Sequence, residues 1–88
     1  MPAVRDLRPA LGSRIRELRK DRGFSQEELA DRAQMHTTYL SDLERGQQTP
    51  TLDLVNRLAR ALGVSLAEFF GPFNAPFRVR QRRARRSS

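Results

Sequence analysis

Polar side chains that can form hydrogen bonds share one face of a predicted helix that begins at Thr37. At about 100° per residue, Leu40 and Leu43 turn inward and leave the opposite face polar and free of bulky chains. Short hydroxyl and charged groups can bind base edges in the major groove of DNA, and a threonine methyl can contact a thymine methyl. That face carries Thr37, Thr38, Ser41, Asp42 and Arg45. The spacing therefore predicts a helix whose exposed face can reach base edges.

A shorter helix is predicted directly before it. Ser25 followed three residues later by Glu28 matches a capping box, which starts a helix at Gln26. In a helix-turn-helix arrangement, such a helix crosses the DNA backbone and braces the reading helix. The N-terminal amides of a helix also bind phosphate, because their dipoles add up there. The position of Gln26 at the start of the bracing helix therefore predicts a phosphate contact.

An ion pair is predicted between the first helix and the reading helix. The first helix runs from Ala10 to Arg22 and ends at Gly23. Arg19 lies on the edge of its apolar stripe, and Glu44 lies on the corresponding edge of the reading helix. A partly buried arginine needs a carboxylate, so we predict that Arg19 and Glu44 pair across the core. Removing one partner should cost about 3 to 5 kcal/mol, because the other charge stays buried and unpaired.

The C-terminal third combines two predicted helices with a cluster of aromatic residues. A helix is predicted from Leu52 to Leu62, and its inward apolar face consists of Leu52, Val55, Leu58, Ala59 and Leu62. Ser65 and Glu68 match a second capping box, which predicts a last helical turn from Leu66 to about Phe70. Exposed aromatic patches mark interfaces, so the cluster predicts a self-association surface. In the alternative, its first phenylalanine fills the core and the others fold back over it. The predicted interface residues are Phe69, Phe70 and Phe73.

Length and composition limit the function further. The 88-residue chain is long enough for one small domain, and it contains no cysteine and one histidine. We therefore predict no metal site, no cofactor and no enzymatic activity. A small-molecule effector is not expected, because no second domain offers a pocket. No apolar run approaches the roughly 20 residues that span a bilayer, and the N-terminus lacks the apolar stretch of a secretory signal. We therefore expect a cytoplasmic protein with no membrane partner.

The net charge of +7 is concentrated at the C-terminus. Residues 78–88 contain six arginines and no acid, which leaves 11 basic and 10 acidic residues in positions 1–77. We predict a disordered tail that adds affinity for phosphates without reading sequence; the alternative is a solvated charge run. Residues 1–9 are predicted to form a flexible arm, and residues 71–77 an extension with a dimer contact.

The run RIRELRKDRGFSQEELADRAQMHTTYLSDLERGQQTPTLDLVNRLARALGVSL resembles the phage Cro/repressor-type helix-turn-helix family, also called the xenobiotic-response-element family. The specific marks are SQEELA, YLSDLERG, the threonine-proline loop and LARALGVSL. This resemblance implies an all-α fold, a compact five-helix domain of the lambda-repressor-like type over residues 10–70. Its second helix would brace and its third would read double-stranded DNA.

Within that family, the chain is most similar to small controller proteins of restriction-modification systems. The resemblance implies an autoregulatory homodimer that binds an operator and regulates transcription. An antitoxin that binds a toxin protein, with DNA binding secondary, is the main alternative. A non-specific nucleic-acid or bridging protein driven by the arginine tail is a weaker one.

The resemblance implies that four residues face bases and read them: Thr37, Thr38, Ser41 and Asp42. It also assigns residues to the DNA backbone. Gln26 is similar to the family glutamine that holds a phosphate, while Arg45 and Gln47 occupy backbone-contacting positions. Tyr39 would add a hydroxyl to a phosphate. His36 precedes the reading helix, where the family commonly has a capping serine, and would either cap the helix or contact a phosphate.

Two positions depart from the family pattern. Gln34 stands where the turn usually has glycine, so either it adopts a left-handed conformation at a cost of about 1 kcal/mol or the turn differs. Thr37 stands where similar controllers often carry arginine, which can read guanine with two hydrogen bonds. Asp42 has two interpretations: it accepts from a cytosine amine in the groove, or it remains a solvated charge outside it.

Overall fold

The computed structural model describes residues 6–73, and within that range the chain is entirely helical. The helices are α1 (Arg8–Asp21), α2 (Gln26–Ala33), α3 (Thr37–Glu44), α4 (Leu52–Leu62) and α5 (Leu66–Phe69), followed by a 3-10 turn at Gly71–Phe73. The prediction of an all-α, five-helix domain is confirmed. None of these helices is long and apolar enough to cross a membrane.

The first helix begins two residues earlier than predicted. α1 begins at Arg8, so the last two residues of the 1–9 arm belong to the helix. Pro9 lies in the first turn, where its missing N–H would have had no partner within the helix. Asp6 accepts the Arg8 amide at 3.0 Å and so supports this start. Residues 1–5, part of the extension at 74–77 and the tail at 78–88 lie outside the described residues.

One hydrophobic core joins all five helices. Each helix contributes a residue with 0% exposed surface: Ile15, Leu29, Leu40, Leu58 and Phe69. α3 packs against both α1 and α2. Because Leu40 and Leu43 on the inner face of α3 are buried in this core, close packing fixes the orientation of α3 relative to α1 and α2.

α1 and α3 meet at a glycine. A Cβ atom at Gly12 would lie 2.4 Å from the carbonyl oxygen of Leu43 and 2.5 Å from that of Glu44. Both oxygens belong to the backbone near the C-terminal end of α3, so no side-chain rotation relieves the clash. Only glycine allows this close approach of the two helices.

Three arginines hold the carbonyl ends of helices other than their own. The Nε atoms of Arg14, Arg22 and Arg57 donate to carbonyls at the ends of α5, α4 and α2, at distances of 2.7 to 3.1 Å. A guanidinium at a helix C-terminus satisfies carbonyls that lack intrahelical partners and interacts favourably with the helix dipole. These three arginines stabilise the fold, because their guanidinium groups are engaged with the ends of other helices. The sequence reasoning did not identify them.

Candidate nucleic-acid interface

α3 presents a polar face while its apolar face anchors it in the core. Leu40 and Leu43 are 0% and 1% exposed, whereas Thr38 is exposed and Thr37 is half-buried. Ser41 and Asp42 are also half-buried, one turn further along the helix. All four residues predicted to read bases therefore keep accessible surface on the same side of α3.

Arg45 connects the C-terminal half of this face. Its Nη1 atom donates to Ser41 Oγ at 2.6 Å, and its Nη2 atom forms an ion pair with Asp42. The guanidinium therefore folds back along α3 by one turn. This contact neutralises the Asp42 carboxylate, which would otherwise repel DNA phosphates, and it occupies one of the two oxygens that could accept from a cytosine amine. Base contact by Asp42 remains a prediction, as does phosphate contact by Arg45.

Arg19 and Glu44 form the predicted contact between α1 and α3. Arg19 Nε lies 2.7 Å from Glu44 Oε2, and Nη2 lies 3.0 Å from Oε1, so the pair is bidentate. The side chains are 11% and 4% exposed. Burial alone raises the pKa of Glu44, but hydrogen bonds from Arg19 and Gln26 outweigh it and hold this pKa below its usual value. The hydrogen bond to Glu44 raises the pKa of Arg19 in turn.

Gln26, predicted to contact phosphate, belongs to the same network. Its Nε2 atom donates to Glu44 Oε1 at 3.0 Å, so one carboxylate joins the first residue of α2 to the last residue of α3. The capping box expected at Ser25 and Glu28 is present and fixes the start of α2. The N-terminus of the bracing helix is therefore held rigidly beside the reading helix.

The turn between α2 and α3 resolves the Gln34 alternative. Gln34 has φ 58° and ψ 55°, the left-handed conformation that the family glycine would adopt easily. Arg57 from α4 donates to the carbonyl oxygen of Ala33 at 2.9 Å and also binds that of Gln34. This contact holds the C-terminal end of α2 where the turn begins.

Three other predicted backbone contacts have different surroundings. His36 occupies the N-cap position of α3 with extended backbone, but its ring makes no capping hydrogen bond, so the capping alternative is wrong. Tyr39 is half-buried and its ring packs against the core. Gln47 is exposed in the loop after α3, and its backbone N–H donates to the carbonyl of Asp42 at 2.9 Å. Phosphate binding by these three side chains remains a prediction.

The aromatic cluster divides between the core and the surface. Phe69 is 0% exposed, so its assignment to a dimer interface is wrong: it fills the core, as in the alternative interpretation. Phe70 and Phe73 are half-buried and pack edge to face with centroids 5.4 Å apart. They line an open cavity of about 460 Å³, here called the apolar groove, together with Leu7, Leu11, Pro50, Leu52 and Val55.

Two further residues make the apolar groove notable. Leu52 is 69% exposed and Leu7 is 41% exposed, and both face it. The helical spacing placed Leu52 on the inward apolar face of α4, and this prediction is wrong because Leu52 lies at the first residue of that helix, beyond the core. The exposure of Leu7 was not predicted. No group of three or more metal-ligating side chains occurs within residues 6–73.

Comparison with known proteins places this geometry in context. Residues 15–69 match the family model described as Helix-turn-helix. The uncharacterized HTH-type transcriptional regulator y4dJ of Sinorhizobium fredii is 42% identical over 76 residues, covering 85% of this chain and 99% of that protein. The control protein C.BamHI of Bacillus amyloliquefaciens is 38% identical over 60 residues, 67% of this chain and 74% of that protein. Two other curated relatives are longer, and the chain spans 52% and 42% of their lengths.

Solved structures give the same comparison in three dimensions. The restriction-modification controller protein C.AhdI from Aeromonas hydrophila has a TM-score of 0.68 and 39% identity, covering 70% of this chain and 94% of that chain. The controller protein C.Esp1396I, solved as a tetramer with its natural 35 base-pair operator, has a TM-score of 0.72 and 28% identity, covering 78% and 91%. The four relatives named above are described as a transcriptional regulator or as control and controller proteins. The antitoxin alternative gains no support from them.

Proposed function

We propose a specific mode of action for this chain, which belongs to the Helix-turn-helix family and is a DNA-binding transcriptional regulator. Two copies bind one operator as a homodimer, each with α3 in the major groove of a half-site. The operator lies at the regulator's own gene, as expected for a restriction-modification controller. Thr37, Thr38, Ser41 and Asp42 read bases, while the N-terminus of α2 and the loop after α3 bind phosphates.

The observation that carries this proposal is the rigid presentation of α3. Its apolar face is fully buried, its polar face is accessible, and Glu44 ties it to both α1 and α2. A helix held this firmly can place short side chains at defined base edges without first losing conformational freedom. Non-specific binding driven by charge alone would need no such rigidity, because phosphate contacts do not depend on base identity.

The second copy is proposed to dock on the apolar groove. Leu52 and Leu7 leave apolar surface exposed beside Phe70 and Phe73. The only charges in the lining are Asp6 and Arg8, which neutralise each other at 3.0 Å. An apolar surface with a paired polar rim is typical of self-association surfaces. A dimer would place two copies of α3 about one helical turn of DNA apart.

A mobility-shift assay at physiological salt tests the proposal. The wild-type protein should bind the duplex upstream of its own gene more tightly than a scrambled duplex of equal length and composition. Equal affinity for the two duplexes would refute sequence-specific binding. Thr38→Val keeps the side-chain shape and a methyl group but removes the hydroxyl that is proposed to read a base. It should therefore reduce the preference for the upstream duplex over the scrambled duplex about tenfold.

A further inference from the structure

Glu44 accepts more hydrogen bonds than its ion pair requires. Arg19 already supplies two donors, one to each carboxylate oxygen, at 2.7 and 3.0 Å. Gln26 supplies a third donor to Oε1, also at 3.0 Å. The third bond connects the buried pair to a residue at the edge of the proposed phosphate site.

The chemistry of Glu44 fixes which end of the Gln26 amide faces it. An ionised carboxylate only accepts hydrogen bonds, so Gln26 must turn its NH2 group towards Glu44 and its oxygen away. The lowered pKa of Glu44 keeps the carboxylate ionised at neutral pH. Nε2 carries a second hydrogen, which no acceptor among residues 6–73 takes. Without Glu44, the amide could rotate and present its oxygen, which would repel a phosphate.

We propose that Glu44 is a positioning residue for DNA binding: it holds the Gln26 amide with an N–H directed to the phosphate beside the start of α2. The inference rests on the proposed function and goes beyond the stabilising role of the Arg19 pair. Through Glu44, the same carboxylate that anchors the reading helix also sets a contact to the DNA backbone. Glu44 thereby fixes the position of the backbone contact relative to the base-reading helix.

The test replaces the ion pair while leaving the fold intact. Exchanging a buried ion pair for apolar residues of similar volume is often neutral or stabilising. The double variant Arg19→Met, Glu44→Leu therefore removes the acceptor of Gln26 without leaving a buried charge. A second double variant, Arg19→Met with Glu44→Gln, places an amide there whose oxygen can accept from Gln26 but whose NH2 group can also donate to it, so it fixes the orientation less strictly. Chemical denaturation first establishes that both variants are folded under the binding conditions.

Binding is measured with the duplex that wild-type protein selects from a random-sequence library. Fixing one flexible side chain corresponds to roughly a threefold to tenfold change in affinity per protomer. The leucine variant should lose that factor, and the glutamine variant should recover part of it. Adding Gln26→Ala should weaken wild-type binding but leave the leucine variant unchanged. Wild-type affinity in the leucine variant, a larger loss in the glutamine variant than in the leucine variant, or an equal effect of Gln26→Ala in the wild-type and leucine backgrounds would overturn the proposal.

A measurement on wild-type protein keeps the proposal testable if a variant does not fold. In NMR spectra, the two Nε2 hydrogens of Gln26 should respond differently to the selected duplex: one shifts, and the one bonded to Glu44 does not. An equal response of both hydrogens would show that Glu44 does not orient the amide, and no response would show that the amide does not contact the phosphate; either result would overturn the proposal. Failure of wild-type protein to select any sequence would instead refute the proposed function.

Discussion

Replacing Gly12 by alanine should destabilise the protein, although alanine is the better helix former. By propensity alone, this change within α1 would stabilise a helix by about 1 kcal/mol. The contact with α3 predicts the opposite sign. The added Cβ would lie 2.4 Å from the carbonyl oxygen of Leu43 and 2.5 Å from that of Glu44.

The size of the effect follows from the displacement required. Carbon and carbonyl oxygen normally approach no closer than about 3.3 Å, so α1 and α3 must separate by about 1 Å. Overpacking of this kind costs about 1 to 3 kcal/mol, and the upper end applies because both opposing atoms belong to the backbone. After subtracting the propensity gain, Gly12→Ala should lower the free energy of unfolding by about 2 kcal/mol.

Urea denaturation monitored by circular dichroism measures this change. Gly71→Ala is the matched control, because a Cβ there meets nothing within 4 Å and its φ is not in the left-handed region. The control should unfold at the parental midpoint. Because Glu44 moves with the end of α3, Gly12→Ala should also weaken DNA binding. A midpoint at or above that of the parent would refute the close packing of α1 on α3.

The other predictions concern the turn, the ion pair and the groove. Gln34→Gly should raise the free energy of unfolding by about 1 kcal/mol in urea denaturation, because glycine adopts this left-handed conformation without steric strain. Gln47→Gly is the control and should not raise it, and an equal effect of the two changes would contradict strain at Gln34. The folded-state pKa of Glu44 is lowered, so its stabilisation is complete at neutral pH and is lost as the pH falls through that value. The stability difference between wild type and Glu44→Gln should therefore shrink in acid, and a constant gap would argue against the pair. Leu52→Ser should weaken the proposed dimer in sedimentation equilibrium at unchanged monomer stability, and an unchanged association constant would exclude the apolar groove as the dimer contact.

The reading helix and its ion pair were accessible to sequence reasoning because they depend on spacing along one helix. Leu40 and Leu43 define which side of α3 is buried, and this fixes the side that remains polar. The inward position of Arg19 and Glu44 followed from the same spacing. The capping boxes at Ser25 and Ser65 were likewise predictable, because capping is a contact between residues three positions apart.

Spacing along the chain could not predict which phenylalanines of the aromatic cluster are buried in the core and which remain at the surface. Phe69 and Phe70 are adjacent in sequence, yet Phe69 is 0% exposed and Phe70 lines the apolar groove. α5 has only four residues, too short for a periodic pattern to show which face is inward. The exposure of Leu52 likewise depends on which surfaces its neighbours cover.

By itself, the sequence determined the helices, the polar face of α3, the family and the charge that concentrates in the tail. These features depend on local spacing, capping and composition. Only the tertiary structure decided that Arg14, Arg22 and Arg57 hold distant helix ends, since their partners lie 23 to 55 residues away in the chain. It also decided that Gly12 is a packing requirement and that Glu44 holds Gln26. Each of these depends on how closely two helices approach, a distance that the whole core sets and no single segment encodes.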